Sequence, residues 1–251
     1  MNIFPPTKKR LAFDFCYSAK MGAEYMDHNV KVFEDVSTIP EDPTNILVGS
    51  VESLTEWLTK NGYPVPEAVD LLQYNQFLGR PIAESTMEDF SEWIKTVNRE
   101  WINRYPTFIK PKSSIKAFTG FVPTDTLTLQ VYTHGYNGPI WMQGFVSIVS
   151  EYRCYVSNNK IIGMKHYSGD CLVYPDSQFI KNCFEHSKTI LDYHSYTLDF
   201  GILENGQTIL IEVNDGWAIG NYGLEPLQYY LFVRDRWLQM TGIRKKMDHM
   251  F

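Results

Sequence analysis

Alternating apolar and polar positions near residue 200 predict two β-strands joined by a tight turn. The turn is Asn205-Gly206, a dipeptide that strongly favours a hairpin. A two-residue turn places Ile202 opposite Ile209 and Asp199 opposite Glu212, because side chains alternate along each strand. Apolar residues occupy both faces of this hairpin, which is typical of a sheet covered on both sides.

The facing carboxylates of Asp199 and Glu212 form a candidate metal site. Directly opposed residues lie about 5 Å apart, and two like charges at that distance repel by about 3 kcal/mol at an effective dielectric constant of 20. A cation between them would reverse the sign of this energy. Asn214 lies on the same face, and the three oxygen donors suit Mg²⁺ or Mn²⁺. The alternative is an exposed hairpin with hydrated acids.

The remaining pattern predicts a small α/β unit followed by a strand-rich unit, with the boundary at Pro106. The units span residues 1–106 and 107–251. Helices are expected at 50–60, 86–104, 177–193 and 225–240, and strands include 107–110, 127–133 and 140–150.

A second predicted hairpin turns at Asn158-Asn159. A two-residue turn pairs Arg153 with Met164 and Glu151 with His166, so that Arg153, Glu151 and His166 share a face. Arg153 is either a member of a surface ion pair or an arginine that neutralises charge on a transferring phosphoryl group.

Lysines cluster after the strand at 107–110. Lys110 ends the strand, and Lys112 and Lys116 lie in a loop that closes at Gly120. Such lysines can hold a phosphate or can simply be solvated, and their spacing excludes a Walker-type loop. The strand segment Gln143 to Val146 could hydrogen-bond an adenine edge through its backbone.

Composition narrows the classes of function. The chain has 251 residues, a net charge of −6 and 44% hydrophobic residues, so it can bury a sizeable core. The chain has no long run of basic residues of the kind that would favour non-specific nucleic-acid binding. We also find no segment typical of a membrane span or of a secretion signal. Four cysteines without metal spacing predict reduced thiols and a cytoplasmic location.

These segments, in this order, resemble the ATP-grasp superfamily, and most closely a phage and bacterial clade named for two arginines and one lysine. The segments that carry the resemblance are Phe77 to Arg80, Phe108 to Pro111, Lys116 to Gly120, Ser150 to Arg153, Asp199, and Glu212 to Asn214. The resemblance implies an α+β fold, in which two subdomains with antiparallel sheets grip ATP behind a small Rossmann-like domain.

The resemblance also implies roles for individual residues. Arg153 and Lys110 are implied catalytic groups, and Asp199, Glu212 and Asn214 are implied ligands of one or two Mg²⁺ ions. The implied nucleotide contacts are Arg80, Lys110, Lys116, Gly120, Gln143, Phe145, Val146, Arg153 and His166.

The implied chemistry is ATP-dependent formation of an amide from a carboxylate and an amine, through an acyl phosphate, with release of ADP and phosphate. The substrate would be a peptide, a protein or an amino acid. No Ser-His or Cys-His arrangement is present to suggest a covalent enzyme nucleophile. The alternatives are a nucleotide-binding module without turnover and another ATP-dependent phosphoryl transfer.

Overall fold

A computed structural model describes residues 14–113 and 117–243, and the backbone of three short strands that precede residue 14. The strands and helices, in chain order, are β1 (Asn2–Phe4), β2 (Thr7–Lys8), β3 (Arg10–Leu11), α1 (Asp14–Tyr25), β4 (Asn29–Val30), β5 (Ile46–Leu47), α2 (Val51–Lys60), β6 (Ile82–Thr86), α3 (Met87–Thr96), α4 (Arg99–Arg104), β7 (Thr107–Pro111), α5 (Thr126–Thr133), β8 (Pro139–Gly144), β9 (Ile148–Ser157), β10 (Lys160–Gly169), α6 (Ser177–Ile190), β11 (Ser195–Leu203), β12 (Thr208–Asp215) and α7 (Pro226–Met240). Two 3-10 helices span Val36–Thr38 and Leu71–Phe77. Within the described ranges, no helix is long and apolar enough to cross a bilayer.

The described residues form three sheets, besides the short β2-β3 pair. A parallel sheet has the order β4-β1-β5, a small antiparallel sheet has the order β6-β8-β7, and a large antiparallel sheet has the order β10-β9-β11-β12. The small sheet crosses residue 106, because β6 precedes it and β7 follows it. The predicted boundary at that residue remains a prediction.

Each sheet contributes to a separate apolar core. The first core packs α1 and α2 against α7, which is the last helix of the described residues. The second lies between the large sheet and α6, and the third lies between the small sheet and the helices α3, α4 and α5. The last helix therefore returns to the N-terminal unit. Gly22 of α1 lies so close to the α7 backbone that a Cβ atom there would overlap Pro226.

Capping residues set the bounds of several elements differently from the prediction. The helix expected over 86–104 is divided in two, because α3 ends at Thr96 with Val97 as its C-cap, and Asn98 caps α4 by accepting a hydrogen bond from the Trp101 amide. The strand expected over 127–133 was wrong: this segment is helix α5, capped by Asp125. Its Thr and Val residues favour strands, but the cap and packing on α3 decide the outcome.

The hairpin of β11 and β12 confirms that Asp199 pairs with Glu212, although the register near the turn was predicted wrongly. The loop has three residues, and Gly206 at its end has φ +82°. Leu203 therefore bonds to both Gly206 and Gln207, and Phe200 pairs with Leu210. A bulge at Ile211 then compensates for the longer loop.

The hairpin of β9 and β10 corrects the predicted position of His166. A bulge between Ile161 and Gly163 shifts the register by one residue, so Lys165, not Met164, pairs with Arg153; a second bulge lies farther along, between His166 and Ser168. His166 consequently pairs with Tyr152 and lies on the opposite face of the sheet from Arg153.

Candidate active site

The candidate site is built on one row of residues across the large sheet. Arg153 of β9 pairs with Asp199 of β11, which in turn pairs with Glu212 of β12. Residues that are directly opposite on neighbouring strands project to the same face. One cation and two anions are therefore aligned by backbone pairing alone.

Arg153 and Asp199 form a buried, two-point ion pair. The Nε atom of Arg153 lies 2.8 Å from Oδ1 of Asp199, and Nη2 lies 2.6 Å from Oδ2. Asp199 is only 1% exposed. Burial raises the pKa of Asp199 to about 6, although the Arg153 hydrogen bonds act in the opposite direction. The cation that the facing carboxylates require is thus supplied, in this structure, by a side chain of the protein.

Glu212 is the more accessible of the two carboxylates, with its side chain 32% exposed. Its Oε2 atom accepts a hydrogen bond from Lys110 Nζ at 2.9 Å, and its Oε1 atom accepts one from Asn214 Nδ2 at 3.0 Å. Nη2 of Arg153 lies 3.9 Å from Oε1. Burial alone would raise the pKa of Glu212, but Lys110, Asn214 and Arg153 lower it to about 2. Glu212 is therefore ionised at neutral pH.

Two tyrosines cover the guanidinium of Arg153. The Tyr222 ring lies 4.7 Å from the guanidinium carbon and stacks on the Tyr167 ring with 4.7 Å between centroids. The Tyr167 hydroxyl donates to Glu151 at 2.7 Å. Tyr222 is 46% exposed, so this aromatic cover forms part of the open surface beside the site.

Arg80 connects the two antiparallel sheets. Its Nε atom donates to Gln143 Oε1 in the small sheet at 2.8 Å. Its terminal nitrogens donate to the carbonyl oxygens of Leu78, Leu210 and Ile211 at 2.8 to 2.9 Å, and the last two belong to β12 at its bulge. Burial lowers the pKa of Arg80 to about 10, so the side chain remains charged at neutral pH.

Two cavities meet at the ion pair between Lys110 and Glu212, and both of these residues line both cavities. The hinge cavity, of about 440 Å³, lies along the segment that joins β8 to β9. Its walls include Arg80, Gln143, Phe145, Val146 and Glu151. The front cavity, of about 430 Å³, opens toward the N-terminal unit, and its walls include Glu67, Gly120, Trp141, Asn214 and Trp217.

The structure brings most of the predicted site residues to these cavities. Arg80, Lys110, Gln143, Phe145, Val146 and Glu212 line the hinge cavity, while Gly120 and Asn214 line the front cavity. Arg153 and Asp199 are buried beside Glu212 in the row and do not line these two cavities. The ring of His166 contacts the Tyr152 ring, with centroids 5.1 Å apart, on the far face. Lys116 lies outside the described residues.

Two residues beside the site were missed by sequence reasoning as ligand contacts. Glu151 lines the hinge cavity, and Lys165 takes the row position next to Arg153. Gly163 is a sequence signal for the first bulge of β10, because a glycine inside a strand often marks one. A register corrected by one residue at Gly163 would have placed Lys165 on the face of Arg153.

A metal ion would depend on two carboxylates and one amide here. Within residues 14–113 and 117–243, no group of three or more His, Cys, Asp and Glu side chains converges as a metal cluster. Asp199, Glu212 and Asn214 are nevertheless adjacent on one hairpin. Each carboxylate has about four lone-pair positions, and the two bonds from Arg153 leave the others on Asp199. This oxygen donor set fits Mg²⁺ or Mn²⁺.

Comparisons with known proteins agree with this architecture. The family model described as ATP-grasp domain, R-two-K clade family 2, matches residues 77–232. No curated protein sequence matches the chain. Among solved structures, D-alanine–D-alanine ligase from Bacillus anthracis is 12% identical with a TM-score of 0.55, and the alignment covers 98% of each chain. N5-carboxyaminoimidazole synthetase from Staphylococcus aureus, complexed with ADP, is 13% identical with a TM-score of 0.54, over 94% of this chain and 76% of that one. These similarities show that the chain has an ATP-grasp fold.

Proposed function

Because the chain belongs to the R-two-K clade of ATP-grasp domains, we propose that it is an ATP-dependent ligase that joins a carboxylate to an amine. The observation that carries this proposal is the row of Arg153, Asp199 and Glu212, of which Glu212 lies at the junction of two cavities. One cavity can hold a nucleotide and the other its co-substrates. The fold neighbours named D-alanine–D-alanine ligase and N5-carboxyaminoimidazole synthetase support the same class of reaction.

The hinge cavity is the proposed nucleotide site. The base lies against Gln143, Phe145 and Val146, and the carboxylate of Glu151 accepts hydrogen bonds from the ribose hydroxyls. The phosphates extend toward Lys110, whose ammonium group already lies at the end of this cavity. Lys165, which shares the face of Arg153, adds a second lysine on the phosphate side.

Asp199, Glu212 and Asn214 would hold the divalent cation. When bound, Mg²⁺ or Mn²⁺ neutralises phosphate charge and orients the triphosphate for attack. The ionised Glu212 side chain opens to both cavities and provides the accessible anionic ligand.

The reaction divides into two displacements. A substrate carboxylate oxygen attacks the γ-phosphorus of ATP, the bond to the β,γ-bridging oxygen breaks, and ADP leaves. The amine nitrogen then attacks the carbonyl carbon of the acyl phosphate, inorganic phosphate leaves, and the amine proton passes to solvent. Arg153 and Lys110 stabilise the negative charge on the transferring group, and no covalent enzyme intermediate is needed.

The front cavity is the proposed site of the acid and the amine. Its walls combine apolar side chains, Val69, Phe118 and Trp217 among them, with polar and charged ones that include Glu67. A peptide, a protein terminus or an amino acid offers both an amine and a carboxylate to such a surface. We therefore propose a substrate from this group.

Nucleotide products and substrate dependence test the proposal. Purified protein is incubated with ATP and Mg²⁺, with acids and amines added singly and together, and ADP, AMP and phosphate are quantified. A ligase of this class forms ADP fastest when the correct acid and amine are both present. ATP binding without any ADP would favour a nucleotide-binding module. ADP formation that never depends on an amine would favour another phosphoryl transfer.

Substitution of Glu212 by Gln tests the site itself. We expect this isosteric change to reduce Mg²⁺-dependent turnover by roughly 100-fold or more, since even changes to the partners of metal ligands cost about 10- to 100-fold. Glu204→Gln, in the exposed turn of the same hairpin, is the matched control. Wild-type turnover in the Glu212 variant would refute the metal assignment.

A further inference from the structure

We infer that the side chain of Gln143, held in place by Arg80, reads the nucleotide base by donating a hydrogen bond to one of its ring nitrogens. The inference rests on the proposed function, because it assumes that the base occupies the hinge cavity. It adds a recognition role for the side chain of Gln143 and makes Arg80 a positioning residue.

The orientation of the Gln143 amide is fixed by chemistry. An arginine Nε–H can only donate, so the atom of Gln143 that lies 2.8 Å from it must be the carbonyl oxygen. The amide nitrogen Nε2 therefore points away from Arg80 and can only donate. Gln143 is 3% exposed, and Nε2 has no hydrogen-bond partner among the described residues.

A buried donor without a partner is unfavourable and calls for an explanation. Gln143 lines the hinge cavity, where a ligand can supply the missing acceptor. The ring nitrogens N1, N3 and N7 of adenine are acceptors, whereas its exocyclic amino group is a donor. The match is therefore between Nε2 and a ring nitrogen, and not between Nε2 and the amino group.

Neighbouring backbone amides do not offer this donor. The Gly144 amide donates to the Pro81 carbonyl oxygen at 2.9 Å, and the Phe145 amide donates to the Pro106 carbonyl oxygen at 3.0 Å. Both are committed within the protein. Unlike these two amides, Gln143 Nε2 has no existing hydrogen bond among the described residues that a base would have to break.

Arg80 is committed as well, which separates its role from direct phosphate binding. Four of its five N–H groups are used by Gln143 and by the carbonyl groups of Leu78, Leu210 and Ile211. These bonds connect the Gln143 amide to the bulge of β12, which belongs to the sheet that carries Glu212. The base contact and the catalytic row are thereby held in one rigid arrangement.

Deaza analogues of ATP test the inference atom by atom. We measure the binding of ATP and of its 1-deaza, 3-deaza and 7-deaza analogues by calorimetry, for the wild type and for Gln143→Met, which keeps the length of the side chain and removes the donor. One analogue should bind the wild type about tenfold more weakly than ATP, the loss that one net hydrogen bond produces. The Met variant should bind that analogue and ATP equally.

Arg80→Met distinguishes positioning from a structural role. It should abolish the same discrimination, because Gln143 loses its anchor, while Arg104→Met, an arginine on the surface of α4, keeps it. Thermal unfolding of each variant verifies that it is folded. Equal affinity of the wild type for ATP and all three analogues would overturn the inference, as would unchanged discrimination in the Gln143 variant. Failure of every nucleotide to bind would overturn the proposed function together with it.

Discussion

Replacing Arg153 by Met should destabilise the protein more than replacing Arg153 and Asp199 together. In the single variant, a carboxylate that is 1% exposed loses both of its short hydrogen bonds to the guanidinium. Breaking a buried pair by removing one partner costs about 3–5 kcal/mol, whereas replacing both partners by apolar residues is often neutral. The double variant Arg153→Met, Asp199→Leu should therefore recover most of the lost stability.

The expected difference is large enough for routine measurement. For a chain of this size, 1 kcal/mol corresponds to a change in Tm of roughly 2–4 °C. The single variant should thus melt about 6–20 °C below the wild type, and urea titration should show the same loss in the free energy of unfolding. Lys188→Met removes the exposed ion pair with Glu185 on α6 and serves as the control, with an expected change below about 1 kcal/mol.

The pH dependence of the single variant gives a second test. Without Arg153, burial and the neighbouring Glu212 both raise the pKa of Asp199, which in the folded state lies above the unfolded value of about 3.9. The folded state then binds more protons than the unfolded state, so the deficit should shrink as the pH falls from about 8 to about 5. Equal stability of the single and double variants at about pH 8 would refute the reasoning about the buried charge.

Three further changes follow from contacts in the structure. Gly22→Ala should lower the free energy of unfolding in urea by about 1–3 kcal/mol, because the added methyl group overlaps the α7 backbone. Glu24→Ala, on the exposed face of α1, should be near neutral, and equal effects of the two changes would mean that the close contact between α1 and α7 is not tightly packed. Burial lowers the pKa of His28, so the Tm of the protein should fall as the pH drops below about 6.5. His28→Gln should reduce this dependence of Tm on pH between about pH 5 and 8, and an unchanged dependence would mean that other groups cause it. Lys110→Met should weaken ATP binding by about tenfold or more in calorimetry, which is the scale of one lost charged hydrogen bond. Lys112→Met, which loses only a contact to the small sheet, should leave ATP binding unchanged, and equal losses of affinity would mean that the phosphates do not bind at Lys110.

Local sequence rules predicted the catalytic row only in part. The pairing of Asp199 with Glu212 follows from the Asn-Gly turn, yet it holds because a longer loop and a bulge at Ile211 offset each other. The same rule failed for His166, where the bulge between Ile161 and Gly163 shifts the register of β10 by one residue and nothing offsets it before Arg153. A single unpaired residue transfers all later side chains to the other face, so pattern alone gives the strand and not the face.

Long-range contacts account for the rest of what sequence could not supply. The alternation of apolar residues indicates that Arg153 faces either solvent or a site, but only the sheet order places β11 between β9 and β12. Arg80 and Gln143 are 63 residues apart, and their hydrogen bond exists because β6 and β8 are neighbours in the small sheet. No local propensity encodes either adjacency.

The return of α7 to the first core limits how the chain can be shortened. The segment matched by the family model ends at residue 232, in the middle of this helix. Phe232, Val233 and Trp237 all belong to the core formed with α1 and α2, so that core depends on helices from both sides of the matched segment. A fragment trimmed to the matched borders would lose half of α7 and would expose the apolar side chains that now pack against α1 and α2. Truncation experiments should therefore keep both ends, or supply them as a separate complementing piece.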